Sequence, residues 1–151
     1  MMARKIYSGV VALVLFHLVG PAEQAAAQAE VEVRGGNQTL NITTGSAGSE
    51  PIAVVNSIST LRYRRPSVVS KITVQTSCPS QAFSLSIVAT GVVQGVAAPA
   101  VDLVDNMAAT NCITSIPTSG FGIVTVTLLY TATATFAQGN STDQGDDVHT
   151  V

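Results

Sequence analysis

The stretch that decides the fold is FGIVTVTLLYTATATF, residues 121–136. Threonines occupy its odd-numbered positions from 125 to 135, except at Leu129, where the alternation slips. Its even-numbered positions are apolar and consist of Val124, Val126, Leu128, Tyr130, Ala132, Ala134 and Phe136. A period of two predicts a strand with one buried face. Because the run is longer than a usual strand, we expect a bend or bulge near Leu129.

Shorter runs with strand character lie upstream, at residues 40–43, 52–55, 58–64, 72–75 and 83–88. The unbroken apolar run at 52–55 is typical of a strand buried on both sides. Residues 35–50 form either a flexible lead-in or, with residues 30–34, the first edge strand. Only residues 92–109 offer room for a helical turn. Short strands separated by turn residues predict an all-β fold, a single antiparallel β-sandwich of Ig-like or pilin-like type over residues 30–151.

Residues 1–29 have the layout of a secretory signal peptide. Arg4 and Lys5 form a basic head, residues 6–20 form an apolar run without formal charge, and small residues follow it, including Ala27 and Ala29. The apolar run is shorter than the roughly twenty residues that cross a bilayer, so a cleaved signal is favoured over an anchor or a buried helix. We expect cleavage after Ala29, or else after Ala27. The mature protein is then secreted, periplasmic or on the cell surface, with no stable membrane span.

Composition limits the classes of function. The chain has 151 residues, of which 11% are charged, and a net charge of −2, so a single domain without a nucleic-acid footprint is expected. Tryptophan is absent and only three tyrosines and four phenylalanines occur, which disfavours an aromatic platform for sugars. His149 is the sole histidine downstream of the signal. Since a Ser/His/Asp set must use this histidine near the chain end, we expect no enzyme.

The two cysteines, Cys78 and Cys112, both lie in the mature part. In an oxidising compartment an even pair is most simply one disulfide, which stabilises a small domain by roughly 3–4 kcal/mol. Free buried thiols, a metal pair or a reactive thiol are the alternatives. A zinc site needs about four ligands, and no finger spacing is present.

Two polar clusters are candidate binding sites. The first is an acidic cluster in a Gly-containing segment, made of Asn140, Asp143, Asp146 and Asp147. Its hard oxygen ligands suit calcium, and the alternative is a solvated hairpin loop. The second is a basic cluster of four cations within ten residues, Arg62, Arg64, Arg65 and Lys71. It suggests a patch for an anionic partner such as a polysaccharide, and the alternative is an edge strand protected by charge. No other cofactor is expected.

The C-terminal residues 147–151 are predicted to form a strand antiparallel to the end of the 121–136 run. Because that strand is short, it leaves a hydrogen-bonding edge open to a protein partner or a second copy. In architecture the chain resembles bacterial surface and pilin-like sandwich proteins. The leading functional hypothesis is therefore a secreted or cell-surface structural or interaction protein. The alternative is an extracellular carbohydrate- or calcium-binding module.

Overall fold

The computed structural model of the chain describes residues 30–64, 68–118, 122–139 and 145–151. The predicted signal peptide, residues 1–29, lies outside them. Within the described residues the regular structure is almost wholly strand, with one 3-10 turn at Phe136–Gln138 and no helix long and apolar enough to cross a membrane. The strands are β1 Val31–Arg34, β2 Val54–Asn56, β3 Thr60–Arg64, β4 Ser70–Val74, β5 Ser84–Thr90, β6 Val96–Ala97, β7 Val101–Asp102, β8 Thr110–Ile116 and β9 Ile123–Thr133.

The larger of two antiparallel sheets is built around β9. Its order is β1-β3-β9-β5-β7, and β2 also pairs with β9. The predicted alternation is confirmed, because Val124, Val126, Leu128 and Ala132 are buried while the threonines face outward or are half-buried. The expectation of a bulge near Leu129 is wrong, since β9 pairs with β5 through this residue without a register shift. Instead β9 changes partner at this point, from β3 to β2.

The smaller sheet has the order β4-β8-β6 and shares one hydrophobic core with the larger sheet. Leu103 and Ile113 are fully buried in this core. The larger sheet adds Leu61, Tyr63, Ile87, Ala89, Val101, Val124, Val126 and Leu128, and the smaller adds Val74, Cys112 and Ile116. The all-β prediction is thus confirmed, and two antiparallel sheets around a common core are consistent with a β-sandwich.

Three local predictions are wrong. Residues 40–43 form no strand, and residues 92–109 hold β6 and β7 rather than a helical turn. The run at 52–55 is not buried on both sides, because Ile52 and Val55 are both exposed and β2 begins only at Val54.

The C-terminal segment does not pair with β9 as expected. Residues Tyr130–Ala132 already have β5 on one side and β2 on the other, so no edge of β9 is free there. Thr150 pairs instead with Ser77, through backbone hydrogen bonds of 3.0 and 3.1 Å. The segment therefore lies against the connection between β4 and β5.

Candidate functional site

The predicted disulfide is not formed, and both cysteines are free and buried. Cys112 lies on β8 inside the main core, where burial raises the pKa of its thiol. Cys78 lies in the β4–β5 connection, close to Asp105 and Asp147. The expected disulfide is therefore absent: Cys112 lies in the core between the sheets, whereas Cys78 lies beside the C-terminal segment.

The C-terminal segment, residues 145–151, is held in place by Asp147. The carboxylate of Asp147 accepts a hydrogen bond of 3.0 Å from the backbone N–H of Ala82 and one of 2.7 Å from that of Phe83. These donors stand immediately before β5, where the backbone has not yet entered the sheet ladder. A single side chain thus satisfies two backbone groups, which fixes the segment at that position.

Docking of this segment brings together three side chains that can bind a metal. Cys78 Sγ, a carboxylate oxygen of Asp147 and a ring nitrogen of His149 all lie within 4.8 Å of one another. Asp147 and His149 are two positions apart in an extended segment, so they point to the same side. Thr76 Oγ1 lies 3.2 Å from Nδ1 of His149, and Asp105 Oδ1 accepts a 2.7 Å hydrogen bond from the backbone N–H of Cys78.

The electrostatics of this cluster disfavour a reactive thiolate. Burial, followed by the negative charge of Asp147, raises the pKa of the Cys78 thiol, and Asp105 adds to the effect. Burial lowers the pKa of His149, against the opposing influence of the two aspartates. Reactive cysteines need positive neighbours that lower the thiol pKa. Near neutral pH this site therefore holds a protonated thiol and a neutral imidazole.

The predicted acidic cluster is only partly described. Asn140 and Asp143 lie outside the described residues, Asp146 is exposed, and Asp147 turns to the backbone before β5. His149, a terminal residue that sequence alone would leave to solvent, is half-buried beside Cys78. The Asp-x-His spacing was the available signal, since it places two ligand-capable side chains on one side of an extended chain.

The predicted basic patch is divided between the sheets. Arg62 and Arg64 lie on β3, Lys71 lies on β4 of the smaller sheet, and Arg65 is outside the described residues. The two arginines of β3 form ion pairs with acidic residues on β1 or just before it. Arg62 lies 3.3 Å from Glu32, and Arg64 lies 3.6 Å from Glu30.

Together with Arg34, these two ion pairs form a mixed-charge strip on the outer side of β1 and β3. Its members are Glu30, Glu32, Arg34, Arg62 and Arg64. Arg34 lies 2.9 Å from Glu32, and its hydrogen bond, followed by that of Arg62, lowers the pKa of Glu32. The strip therefore presents charges of both signs to solvent along β1 and β3.

Comparisons with known proteins give no relative for this chain: no family model matches it, and neither a curated protein nor a solved structure is detectably similar.

Proposed function

We propose that this chain is a structural or interaction module of a secreted or cell-surface assembly, built as a pilin-like or Ig-like β-sandwich, and that it associates with a second copy of itself through the edge of β1. Export is inferred from the order of basic, apolar and small residues in positions 1–29. The proposal includes no catalytic role, because a Ser/His/Asp set would have to use His149, the sole histidine after residue 29.

The edge of β1 is the observation that carries this proposal. Among the described residues, β1 is the outermost strand on its side of the larger sheet, next to β3. The backbone N–H of Arg64 donates a 3.1 Å hydrogen bond to the carbonyl of Glu30. In an antiparallel pair every second residue bonds to the neighbouring strand. Val31 and Val33 therefore direct their N–H and C=O groups away from β3, towards the open side.

The side chains along this edge suit a strand partner. Val31 and Val33 are 52% and 61% exposed although they lie on the same face of the sheet as the buried Leu61 and Tyr63. An added strand gains main-chain hydrogen bonds from the edge and apolar contact from the two valines. Charges at an edge often discourage such pairing, but the two charged residues of β1, Glu32 and Arg34, have opposite signs and lie 2.9 Å from each other.

The charges of β1 indicate a particular self-pairing. When two copies of β1 run antiparallel with Val33 opposite Val33 of the second copy, Glu32 of each lies opposite Arg34 of the other. If the strands shift so that Val31 faces Val33, Glu32 faces Glu32, and like charges directly opposite are destabilising. The first register is therefore the favoured one. Such a short ladder buries less than the roughly 1,200 Å² of stable complexes, so the association is weak and reversible.

The substitution Val33→Lys tests the proposal. It places two lysines directly opposite each other, and we expect the dissociation constant of the self-association to rise by about tenfold or more. Sedimentation velocity of the full chain over a wide concentration range measures this constant. The matched control is Val104→Lys, because Val104 is 57% exposed and follows β7, which is the last strand at the opposite side of the larger sheet from β1 among the described residues.

The expected result is a concentration-dependent dimer that Val33→Lys weakens and Val104→Lys leaves unchanged. A full chain that sediments as a monomer at every concentration overturns the proposal. Equal weakening by both variants overturns it as well, since the association is then not located at β1.

A further inference from the structure

We propose that Cys78, Asp147 and His149 form a binding site for one divalent transition-metal ion, with zinc as the best fit. This site is independent of the β1 edge. It lies where the C-terminal segment meets the β4–β5 connection, so a bound ion links two parts of the chain that are distant in sequence.

The chemistry of the three donors favours zinc. Zinc binds thiolate sulfur, imidazole nitrogen and carboxylate oxygen, at about 2.3, 2.0–2.1 and 2.0–2.2 Å respectively. Calcium instead takes six to eight oxygen ligands. When zinc binds, it displaces the thiol proton of Cys78 to solvent. The resulting thiolate, the carboxylate and the neutral imidazole together carry two negative charges, which neutralise a divalent cation in a site whose cysteine is buried.

The geometry is close to that of a metal site. Tetrahedral ligands at zinc distances lie roughly 3.5 Å from one another. The three donor atoms already lie within 4.8 Å of one another, so side-chain adjustments of about an ångström close the site. Three protein ligands leave the fourth position to a water molecule, as in zinc sites that keep an open position.

Outer hydrogen bonds hold each ligand in position before a metal arrives. The backbone N–H groups of Ala82 and Phe83 orient the Asp147 carboxylate. Thr76 Oγ1 contacts the His149 ring at Nδ1, and Asp105 holds the backbone of Cys78. Metal ligands are commonly fixed in this way, and such partners strengthen metal binding.

Titration of the metal-free full chain with zinc and with cobalt(II) tests this site. Cobalt substitutes for zinc and gives a thiolate-to-metal charge-transfer absorption when a cysteine is a ligand. We expect one zinc per chain and this absorption with cobalt. Cys78→Ser abolishes the absorption and weakens zinc binding by at least about tenfold, whereas Cys112→Ala retains both.

A second pair of variants separates the site from general surface charge. Asp147→Asn is expected to weaken zinc binding, whereas Asp146→Asn, which removes the same charge from the exposed neighbouring residue, leaves it unchanged. Circular dichroism of the metal-free variants checks that each is folded. The proposal is overturned if cobalt binds without the thiolate absorption in the unmodified chain, if no zinc binds, or if Asp146→Asn and Asp147→Asn have the same effect.

Discussion

Replacing Ile113 by alanine is expected to lower the free energy of unfolding by about 2–5 kcal/mol. Ile113 lies on β8, in the smaller sheet, and 0% of it is exposed. It belongs to the core cluster that both sheets share, so its truncation leaves a cavity between them. Because interiors are close-packed, the surrounding side chains fill such a cavity only in part. Urea unfolding followed by circular dichroism measures the loss.

Ile58→Ala is the matched control for this substitution. The same side-chain atoms are removed from a residue that is 68% exposed, so the free energy of unfolding should change by less than about 0.5 kcal/mol. If both variants lose the same stability, Ile113 does not lie in a common core, and the packing of the two sheets described above is incorrect.

Replacing Gly95 by alanine is the second substitution with a large expected effect. Gly95 immediately precedes β6 and has a φ of +114°, a backbone conformation that residues with a Cβ rarely adopt. The added Cβ would lie 2.9 Å from the carbonyl oxygen of Thr114 and 3.0 Å from Cγ2 of Ile113. Backbone strain and overpacking each cost about 1–3 kcal/mol, so we expect a combined loss of about 2–5 kcal/mol.

Gly91→Ala separates the two contributions. Gly91 has a φ of +74°, and no atom lies within 4 Å of its added Cβ. This variant should therefore lose only the conformational cost, about 1–2 kcal/mol. Thermal unfolding of both variants under the same conditions compares them. Equal losses would mean that β6 does not pack closely on β8 at Thr114.

The fold could be predicted from residue alternation, but the strand partners could not. A period of two identifies the buried face of β9, and Val124, Val126 and Leu128 confirm it. The same pattern carries no information about which strand lies alongside. The turn-rich residues 137–146 predict that residues 147–151 return to pair with the end of β9. Their position is decided instead by the Asp147 carboxylate, which meets unpaired N–H groups before β5.

The candidate metal site was beyond the sequence for a related reason. Cys78 was paired with Cys112 because of the expected compartment, and this argument says nothing about where the thiols lie. The Asp147-x-His149 spacing is a local signal, but Cys78 is distant in sequence and becomes their neighbour only after the C-terminal segment docks. By contrast, a first edge strand was one of the two alternatives open for residues 30–50, and the structure limits this strand to Val31–Arg34, where valines and charges alternate.

Cross-linking of a Val33→Cys variant tests the pairing of β1 with its own copy most directly. In the favoured register the two Val33 residues are opposite each other as a hydrogen-bonded pair, with Cα atoms about 5.5 Å apart, within the range of a disulfide. In the same register the two copies of residue 32 are offset by two positions along the strands. Their Cα atoms are then roughly 8 Å apart, which is too far for a disulfide. Mild oxidation followed by non-reducing electrophoresis should give a covalent dimer for Val33→Cys and none for Glu32→Cys, for Val104→Cys or for the unmodified chain, whose cysteines are buried. A Val33→Cys protein that forms no more dimer than these controls would contradict the account.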